Sequence, residues 1–176
     1  DVSESKRMVE YLLDSGRKRV AILCADEADR SIGALRLEGY LEALQERGLA
    51  PDPALILRPA DSTDTFSYRN GYECVRRTIE TGIDFDCIFA ISDTMAIGAM
   101  RALHDAGRQI PQDAAVAGFD GISTGQYTIP TLTTIRQPNE AMAHESVKAL
   151  FEQIHHPEAP KHHSLFKGEL IVGESI

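Results

Sequence analysis

The sequence predicts a doubly wound α/β fold, in which a mostly parallel sheet carries helices on both faces. Short, continuous apolar runs alternate along the chain with longer segments whose apolar residues recur at helical spacing. The apolar runs have the length and composition of strands that are covered on both faces, as the strands of parallel sheets are. The connections between the runs are short, which favours right-handed crossovers within a single sheet.

The elements can be placed in order along the chain. The first helix begins near Ser3 or Ser5, carries Val9 and Leu12 on its apolar face, and ends at Gly16. Six apolar runs are the predicted strands: residues 20–24, 54–57, 86–91, 114–119, 132–135 and 170–172. Each of the first three strands is followed by an amphipathic helix, so the chain reads as a series of strand–helix units.

Glycines at positions 48, 82 and 107 end these three helices. Ser92 or Asp93 is the predicted N-cap of the helix that follows the third strand. Residues 120–130 form a loop with at most a short helix. The last long helix begins at Pro138 or Asn139, and five apolar residues between positions 143 and 154 lie on one side of it.

Composition limits the function classes. The 176 residues carry a formal net charge of −9, so the chain is not expected to bind nucleic acid by itself. No apolar run approaches the ~20 residues that a membrane helix needs, and the first residues do not resemble a signal peptide. The start reads like a cut inside a longer protein. Cys24, Cys74 and Cys87 are widely spaced, which favours buried reduced thiols in a cytoplasmic protein over a disulfide framework.

The polar residues that follow each strand form the candidate ligand site, because open α/β sheets bind ligands at the carboxyl ends of their strands. Two arginines, an aromatic ring, a carboxylate and an amide suit a small polyhydroxylated or anionic ligand. The candidates are Arg30 and Arg36 after the first strand, Phe66 after the second, Ser92 and Asp93 after the third, Asp120 after the fourth and Gln137 after the fifth.

Each candidate also has a purely structural interpretation. Asp93 is favoured as a helix cap over a ligand contact, because it precedes a good helix. Asp120 can begin an Asx-type turn with Gly121, and Phe66 can pack rather than stack on a ligand. Either Arg30 or Arg36 can lie in solvent on the surface. These alternatives stay open at the level of sequence.

Most enzyme classes lack their motifs here. The sequence contains no GxGxxG and no GxxxxGK[ST], so no phosphate-binding loop is expected, and no convincing nucleophile elbow is expected either. The histidine pairs at positions 155–156 and 162–163 are expected to be surface residues rather than zinc ligands. A small α/β hydrolase or transferase remains an alternative without a convincing nucleophile. No metal or cofactor is expected.

Four sequence blocks carry a family resemblance. They are VAGFDGI at 116–122 continuing through YTIPTLTTIRQP at 127–138, SDTMAIGAM at 92–100, RLEGY at 36–40 and LDSGRKRV at 13–20. Together they closely resemble the effector-binding domains of lactose/galactose repressor (LacI/GalR) family transcriptional regulators. The resemblance covers nearly the whole chain, and the combination of blocks is specific.

The resemblance implies a periplasmic-binding-protein-like sensor with two α/β lobes and an effector between them. It assigns residues 1–135 to the C-terminal lobe, residues 136–164 to a crossover segment and helix that belong to the absent first lobe, and residues 165–176 to a return strand. By motif position, Arg36 resembles the arginine that binds the effector and Asp120 the carboxylate that accepts its hydroxyl groups. Arg30, Phe66 and Gln137 resemble a second contact, the stacking ring and a crossover amide.

At position 92 this sequence has serine where the lactose repressor has asparagine, so a ligand contact there is less secure. The resemblance also implies a homodimer that uses Ile97, Met100, Arg101 and Tyr127. Operator DNA would be read only through an absent N-terminal helix-turn-helix, without membrane association.

The effector implied is a sugar, sugar acid or sugar phosphate, with a purine less favoured. Arg30 beside Arg36 motivates the acid or phosphate, while neutral sugars fit the family best. The main alternative function is an exported sugar-binding protein of a transporter.

Overall fold

A computed structural model describes residues 1–26, 31–60, 64–158, 160–161 and 163–176. Within these ranges the chain forms five α-helices, six strands and two short 3₁₀-helices. The helices are α1 (Val2–Asp14), α2 (Ile32–Glu46), α3 (Tyr68–Glu80), α4 (Asp93–Asp105) and α5 (Asn139–His155). The strands are β1 (Val20–Leu23), β2 (Ile56–Leu57), β3 (Cys87–Ala90), β4 (Ala115–Ala117), β5 (Thr134–Arg136) and β6 (Glu169–Ile171). The 3₁₀-helices cover Pro53–Leu55 and Ser123–Tyr127.

The main sheet is parallel and has the strand order β2-β1-β3-β4. Helices α1 and α2 pack against each other, and α3 and α4 form a second pair. Because crossovers between parallel strands are right-handed as a rule, this strand order places the two pairs on opposite faces, and the doubly wound α/β fold predicted from the sequence is confirmed. β5 and β6 form an antiparallel pair, which a parallel bridge between Ala117 and Thr133 attaches to the open edge of β4.

The core consists of the central strands and the apolar stripes of the first four helices. Every residue of β1, β3 and β4 is buried, as expected for continuous apolar runs that lie between two helix layers. Cys24, Cys74 and Cys87 are free buried thiols. Burial raises the pKa of Cys24 to about 11, so its thiol is protonated and unreactive at neutral pH.

Two glycines bring α3 and α4 into backbone contact. A Cβ atom on Gly71 would lie 2.2 Å from the carbonyl oxygen of Met95, and a Cβ atom on Gly98 would lie 2.1 Å from that of Tyr68. No other residue fits at either position without separating the helices. The two glycines therefore fix how α4 lies on the sheet. They also fix the position of the N-terminal end of α4 at the carboxyl ends of the strands.

The bounds of all six strands differ from the sequence prediction. β1, β3 and β4 are shorter than the predicted 20–24, 86–91 and 114–119. β2 is shorter than 54–57, because Asp52 accepts a hydrogen bond of 3.0 Å from the Ala54 amide and Pro53 begins a 3₁₀ turn. β5 starts at residue 134 rather than 132, because the Leu132 amide donates to the carbonyl of Gly125 instead of to a strand. β6 starts at residue 169 rather than 170 and ends one residue earlier.

Helix α5 begins at Asn139 as predicted, but within the described part of the chain its apolar stripe stays largely uncovered. None of its residues is buried. Four large apolar side chains on it are each more than half exposed: Val147, Leu150, Phe151 and Ile154. An amphipathic helix normally buries such a stripe, so this face is incomplete in the chain as it stands. Among the described residues, no helix is long and apolar enough to cross a membrane.

Candidate functional site

The carboxyl ends of the parallel strands meet at one edge of the sheet, and this edge is the candidate ligand site. We refer to it as the rim, defined by Arg36, Phe66, Asp120 and Gln137. Arg36 lies in the second turn of α2, Asp120 follows β4, and Gln137 follows β5. Arg30 was also predicted for this site, but it lies outside the described residues.

Arg36 is the most constrained member of the rim, and only 3% of its surface is exposed. Its Nη1 donates to the carbonyl oxygen of Ile91 and lies 3.1 Å from Oδ1 of Asp120, while its Nε donates to Asp1 at 2.9 Å. The guanidinium also lies 3.8 Å over the ring of Phe119. Burial lowers the pKa of Arg36, and the neighbouring Asp120 opposes that shift. The surface position allowed by the sequence is therefore wrong.

Asp120 presents its carboxylate between an arginine and an amide. Gln137 donates from Nε2 to Oδ1 of Asp120 at 2.7 Å, so Arg36 and Gln137 converge on the same oxygen. Burial raises the pKa of Asp120, and the charge of Arg36 acts against it. The side chain is about a third exposed, which leaves room for a ligand hydroxyl to donate to it.

The backbone at Asp120 has a φ of 115°, a region that residues with side chains rarely adopt. Its amide donates to the carbonyl of Ile135 at 2.9 Å, and its carbonyl accepts from the Gln137 amide at 3.2 Å. These bonds join the turn after β4 to β5. A left-handed conformation at a non-glycine residue indicates a position fixed by its surroundings.

Asp93 is not the helix cap that the sequence favoured. Ser92 is the N-cap of α4, and its Oγ accepts from the Met95 amide at 3.3 Å. Asp93 is fully buried, and its carboxylate binds the Thr134 hydroxyl at 2.6 Å and the Ile122 amide at 2.7 Å. Burial raises the pKa of Asp93 to about 6, and these two hydrogen bonds hold it below a still higher value. Sequence reasoning missed this role because both partners lie far along the chain.

The two remaining candidates, Ser92 and Phe66, differ in exposure. Ser92 is 3% exposed, and its hydroxyl is engaged by the helix cap and by Thr94 at 3.0 Å. The Thr94 hydroxyl donates in turn to the carbonyl of Phe66, which ties the loop before α3 to α4. Phe66, the aromatic member of the rim, is 39% exposed, so part of this residue remains open to a ligand.

The residues named for a dimer interface differ in their exposure. Met100 is buried in the core, and Ile97 is half-buried. Arg101 is exposed and pairs with Asp105 one turn further along α4, at 2.8 Å. Tyr127 is 84% exposed, at the end of the second 3₁₀-helix. Of the four, Arg101 and Tyr127 are the most exposed.

Cavities near the rim are small or incomplete. A cavity of about 170 Å³ borders it and is lined in part by Asp1, Phe119 and Gln137. A larger one of about 460 Å³ lies along α2 and Arg58 and includes no residue of the rim. Within the described ranges, no group of three or more His, Cys, Asp or Glu side chains could hold a metal ion. Within the described ranges, the rim therefore borders a small cavity and contains no metal-binding cluster.

Comparison with known proteins gives a consistent result. Residues 9–176 match the family of periplasmic-binding-protein-like domains. The chain is similar to the HTH-type transcriptional regulator CelR of Thermobifida fusca, with 31% identity over 154 residues, covering 88% of this chain and 44% of that protein. The chain spans about half the length of the curated relatives it matches.

Solved structures show the same likeness. A putative transcriptional regulator of the LacI family from Sanguibacter keddieii superposes with a TM-score of 0.88 at 34% identity, covering 98% of this chain and 63% of that one. The transcriptional regulator CelR in complex with cellobiose gives a TM-score of 0.90 at 29% identity, covering 99% of this chain and 51% of that one.

Proposed function

We propose that this chain is the effector-sensing lobe of a DNA-binding regulator, because it belongs to the LacI family of transcriptional regulators through its periplasmic-binding-protein-like domain. A small sugar or sugar derivative binds at the rim and shifts one lobe against the other. This shift controls operator binding by a helix-turn-helix elsewhere in the protein. The effector can change the free energy of operator binding only by as much as its own binding free energy differs between the two lobe arrangements.

The relatives decide between the alternatives that the sequence left open. They are transcriptional regulators, so an exported sugar-binding protein of a transporter is set aside. Regulators of this kind are not enzymes, and among the described residues the rim offers no nucleophile with an adjacent base, so we propose that the chain binds its ligand without catalysis. A protein that reads operator DNA works in the cytoplasm, which is the location we propose.

The convergence of Arg36, Asp120 and Gln137 at the rim is the observation that carries the proposal. A guanidinium, a partly exposed carboxylate and an amide provide donors and acceptors within one small area. Hydroxyl groups of a sugar both donate and accept hydrogen bonds, so they can satisfy all three. The exposed ring of Phe66 adds an apolar surface for the face of a sugar ring.

We further propose that the effector is neutral. The positive charge of Arg36 is already compensated by Asp120, and Asp1 contacts the same guanidinium. An acid or phosphate placed against Asp120 would add a like charge in a poorly hydrated place, which is costly. A neutral sugar avoids that cost. The acid or phosphate alternative rested on Arg30, which lies outside the described residues.

The exposed stripe of α5 supports the domain boundaries expected from the sequence. We propose that residues 136–164 belong to the first lobe, and that residues 1–135 and 165–176 form the second. Leu150 and Phe151 are each more than half exposed, and burying such side chains contributes about 1.5–3 kcal/mol each. The first lobe of the full-length regulator is the occupant that would cover them.

We also propose that the whole regulator is a homodimer. Arg101, Tyr127 and the neighbouring Ile129, which is 98% exposed, are the residues best placed for an interface. Dimerisation would provide two DNA-binding heads whose spacing matches a palindromic operator. Ile97 and Met100 would contribute less, because they are more deeply buried within this lobe.

A thermal-shift screen of the full-length protein tests the effector proposal. The panel contains neutral sugars, including cellobiose and ribose, together with sugar acids, sugar phosphates and purines. A sugar present at 100 times its Kd should add about 2.7 kcal/mol to the free energy of unfolding. We expect a neutral sugar to stabilise the protein, and the gain to disappear in Asp120→Asn.

Asp113→Asn is the matched control. Asp113 precedes β4 at the opposite edge of the sheet and is exposed, so this variant should keep the full response to the sugar. A phosphate-bearing hit would contradict the neutral effector. A sugar response that survives Asp120→Asn, or a screen without any hit, would contradict the rim as the binding site.

A further inference from the structure

We propose that Asp93 is a positioning residue, which holds the rim carboxylate of Asp120 in place by fastening the turn after β4 to β5. We name Asp93, Gly121, Ile122 and Thr134 together the Asp93 clasp. The inference rests on the proposed function only for the role of Asp120 as a ligand contact. The clasp itself is argued from the contacts of a buried carboxylate that does not reach the rim.

Asp93 connects three segments that meet behind the rim. Its backbone amide donates to the carbonyl of Phe119 at 2.7 Å, directly before Asp120. Oδ2 accepts from the Ile122 amide at 2.7 Å, and the Gly121 amide also donates to the carboxylate. Oδ1 accepts from the Thr134 hydroxyl at 2.6 Å. Asp120 is thus held by Asp93 on both of its sides.

The conformation of Asp120 explains why such a clasp is needed. Its φ of 115° is unfavourable for a residue with a side chain, so the turn needs contacts that hold it in this conformation. The bonds of Asp93 to Phe119, Gly121 and Ile122 do so from one side, and β5 does so from the other. If these bonds were lost, Asp120 would relax and its carboxylate would leave Arg36 and Gln137.

The space around Asp93 is built for a carboxylate. A Cβ atom on Gly118 would lie 2.2 Å from Oδ1 of Asp93, so the strand leaves room for this oxygen only because position 118 is glycine. Among charged groups, Asp120 faces Asp93 from the turn after β4 and opposes its ionisation. Arg36 faces Asp93 from α2, and the negative charge of Asp93 favours the charged form of Arg36. Hydrogen bonds from Thr134, Ile122 and Gly121 favour the ionised carboxylate.

Hydrogen–deuterium exchange of the full-length protein, followed by mass spectrometry, tests the clasp without any ligand. Thr134→Val keeps the shape of the side chain but removes its hydroxyl donor to Asp93. We expect exchange in peptides that cover residues 119–123 to become about tenfold faster, as the loss of one hydrogen bond to a charged group implies. Thr133→Val is the control, because that hydroxyl accepts from the Gly173 amide instead. It should leave residues 119–123 unchanged.

Variants at Asp93 provide a rescue test. Asp93→Asn keeps an oxygen for the Ile122 amide and an amide group for the Thr134 hydroxyl, so exchange at 119–123 should stay within about threefold of the wild type. Asp93→Leu removes both acceptors and should match or exceed Thr134→Val. If Asp93→Leu does not fold, the two threonine variants still decide the question.

Unchanged exchange at 119–123 in Thr134→Val, or an equal change in Thr133→Val, would overturn the clasp even if the sugar screen succeeds. Faster exchange in Thr134→Val alone supports the clasp even if no sugar binds. The failure of the clasp and the failure of the proposed effector site are therefore distinguishable.

Discussion

Replacing Arg36 with methionine is the sharpest test of how the rim is held together. Methionine keeps much of the length of the side chain but removes every hydrogen bond and the charge. The variant leaves Asp120 with a partly buried carboxylate and no cation, and it leaves the carbonyl of Ile91 without its donor. It also removes the cation from the ring of Phe119.

The expected loss follows from the burial of the pair. Breaking a buried ion pair by removing one partner costs about 3–5 kcal/mol. Asp120 keeps 31% of its side chain exposed, so water recovers part of the lost interaction and the lower end applies. We therefore expect Arg36→Met to lower the free energy of unfolding by about 3 kcal/mol. Without the cation the pKa of Asp120 rises further, so the deficit should grow as the pH rises from about 4 to 7.

Urea unfolding followed by circular dichroism measures this loss in a double-mutant cycle with Asp120→Asn. The loss of unfolding free energy in the double variant should be about 1–2 kcal/mol smaller than the sum of the two single losses, because both variants remove the same contact. Arg101→Met is the control, because its ion pair with Asp105 is exposed, and it should cost less than about 0.5 kcal/mol. A cost for Arg36→Met no larger than that of Arg101→Met, or full additivity with Asp120→Asn, would refute the account.

Three further variants test other parts of the fold. The raised pKa of Asp93 means that the folded state binds the proton of this carboxyl more tightly than the unfolded state does. The free energy of unfolding should therefore fall by about 3 kcal/mol as the pH rises from about 4 to about 6. Asp93→Asn should remove this decrease when urea unfolding is measured across the same pH range. Gly71→Ala should cost more than about 2 kcal/mol in the same assay, because the carbonyl of Met95 occupies the space of the new methyl group. Leu150→Ser should lower the melting temperature of the full-length regulator, whereas a first lobe that does not cover α5 would leave it unchanged.

The succession of strands and helices along the chain, and the helix layers, were predictable because they follow from local patterns. Continuous apolar runs indicate strands buried on both faces, and glycine after the last turn marks helix ends. The error at β2 has a local cause as well. Asp52 and Pro53 are a turn signal directly before the apolar run, and the turn that they begin includes the first two residues of the predicted strand. Stripes of apolar residues predicted α5 correctly but could not show that its stripe is uncovered.

The internal structure of the site could not be predicted in the same way. Position at the end of a strand was enough to place Arg36 and Asp120 at one edge of the sheet. The role of Asp93 depends on Ile122 and Thr134, which are 29 and 41 residues away along the chain. A carboxylate before a helix has the same local sequence whether it caps the helix or binds a distant turn. Only the three-dimensional arrangement separates the two.

The antiparallel pairing of β5 and β6 has a consequence for protein engineering. Arg136 ends β5, Glu169 begins β6, and the two residues are partners across the pair. The segment between them is therefore an insertion whose ends lie about 5 Å apart. A two-residue turn such as Asn-Gly spans that gap and would convert the pair into a simple hairpin. This lobe can accordingly be recast as a self-contained module that lacks the exposed helix and Gln137 but keeps Arg36, Phe66 and Asp120 of the rim.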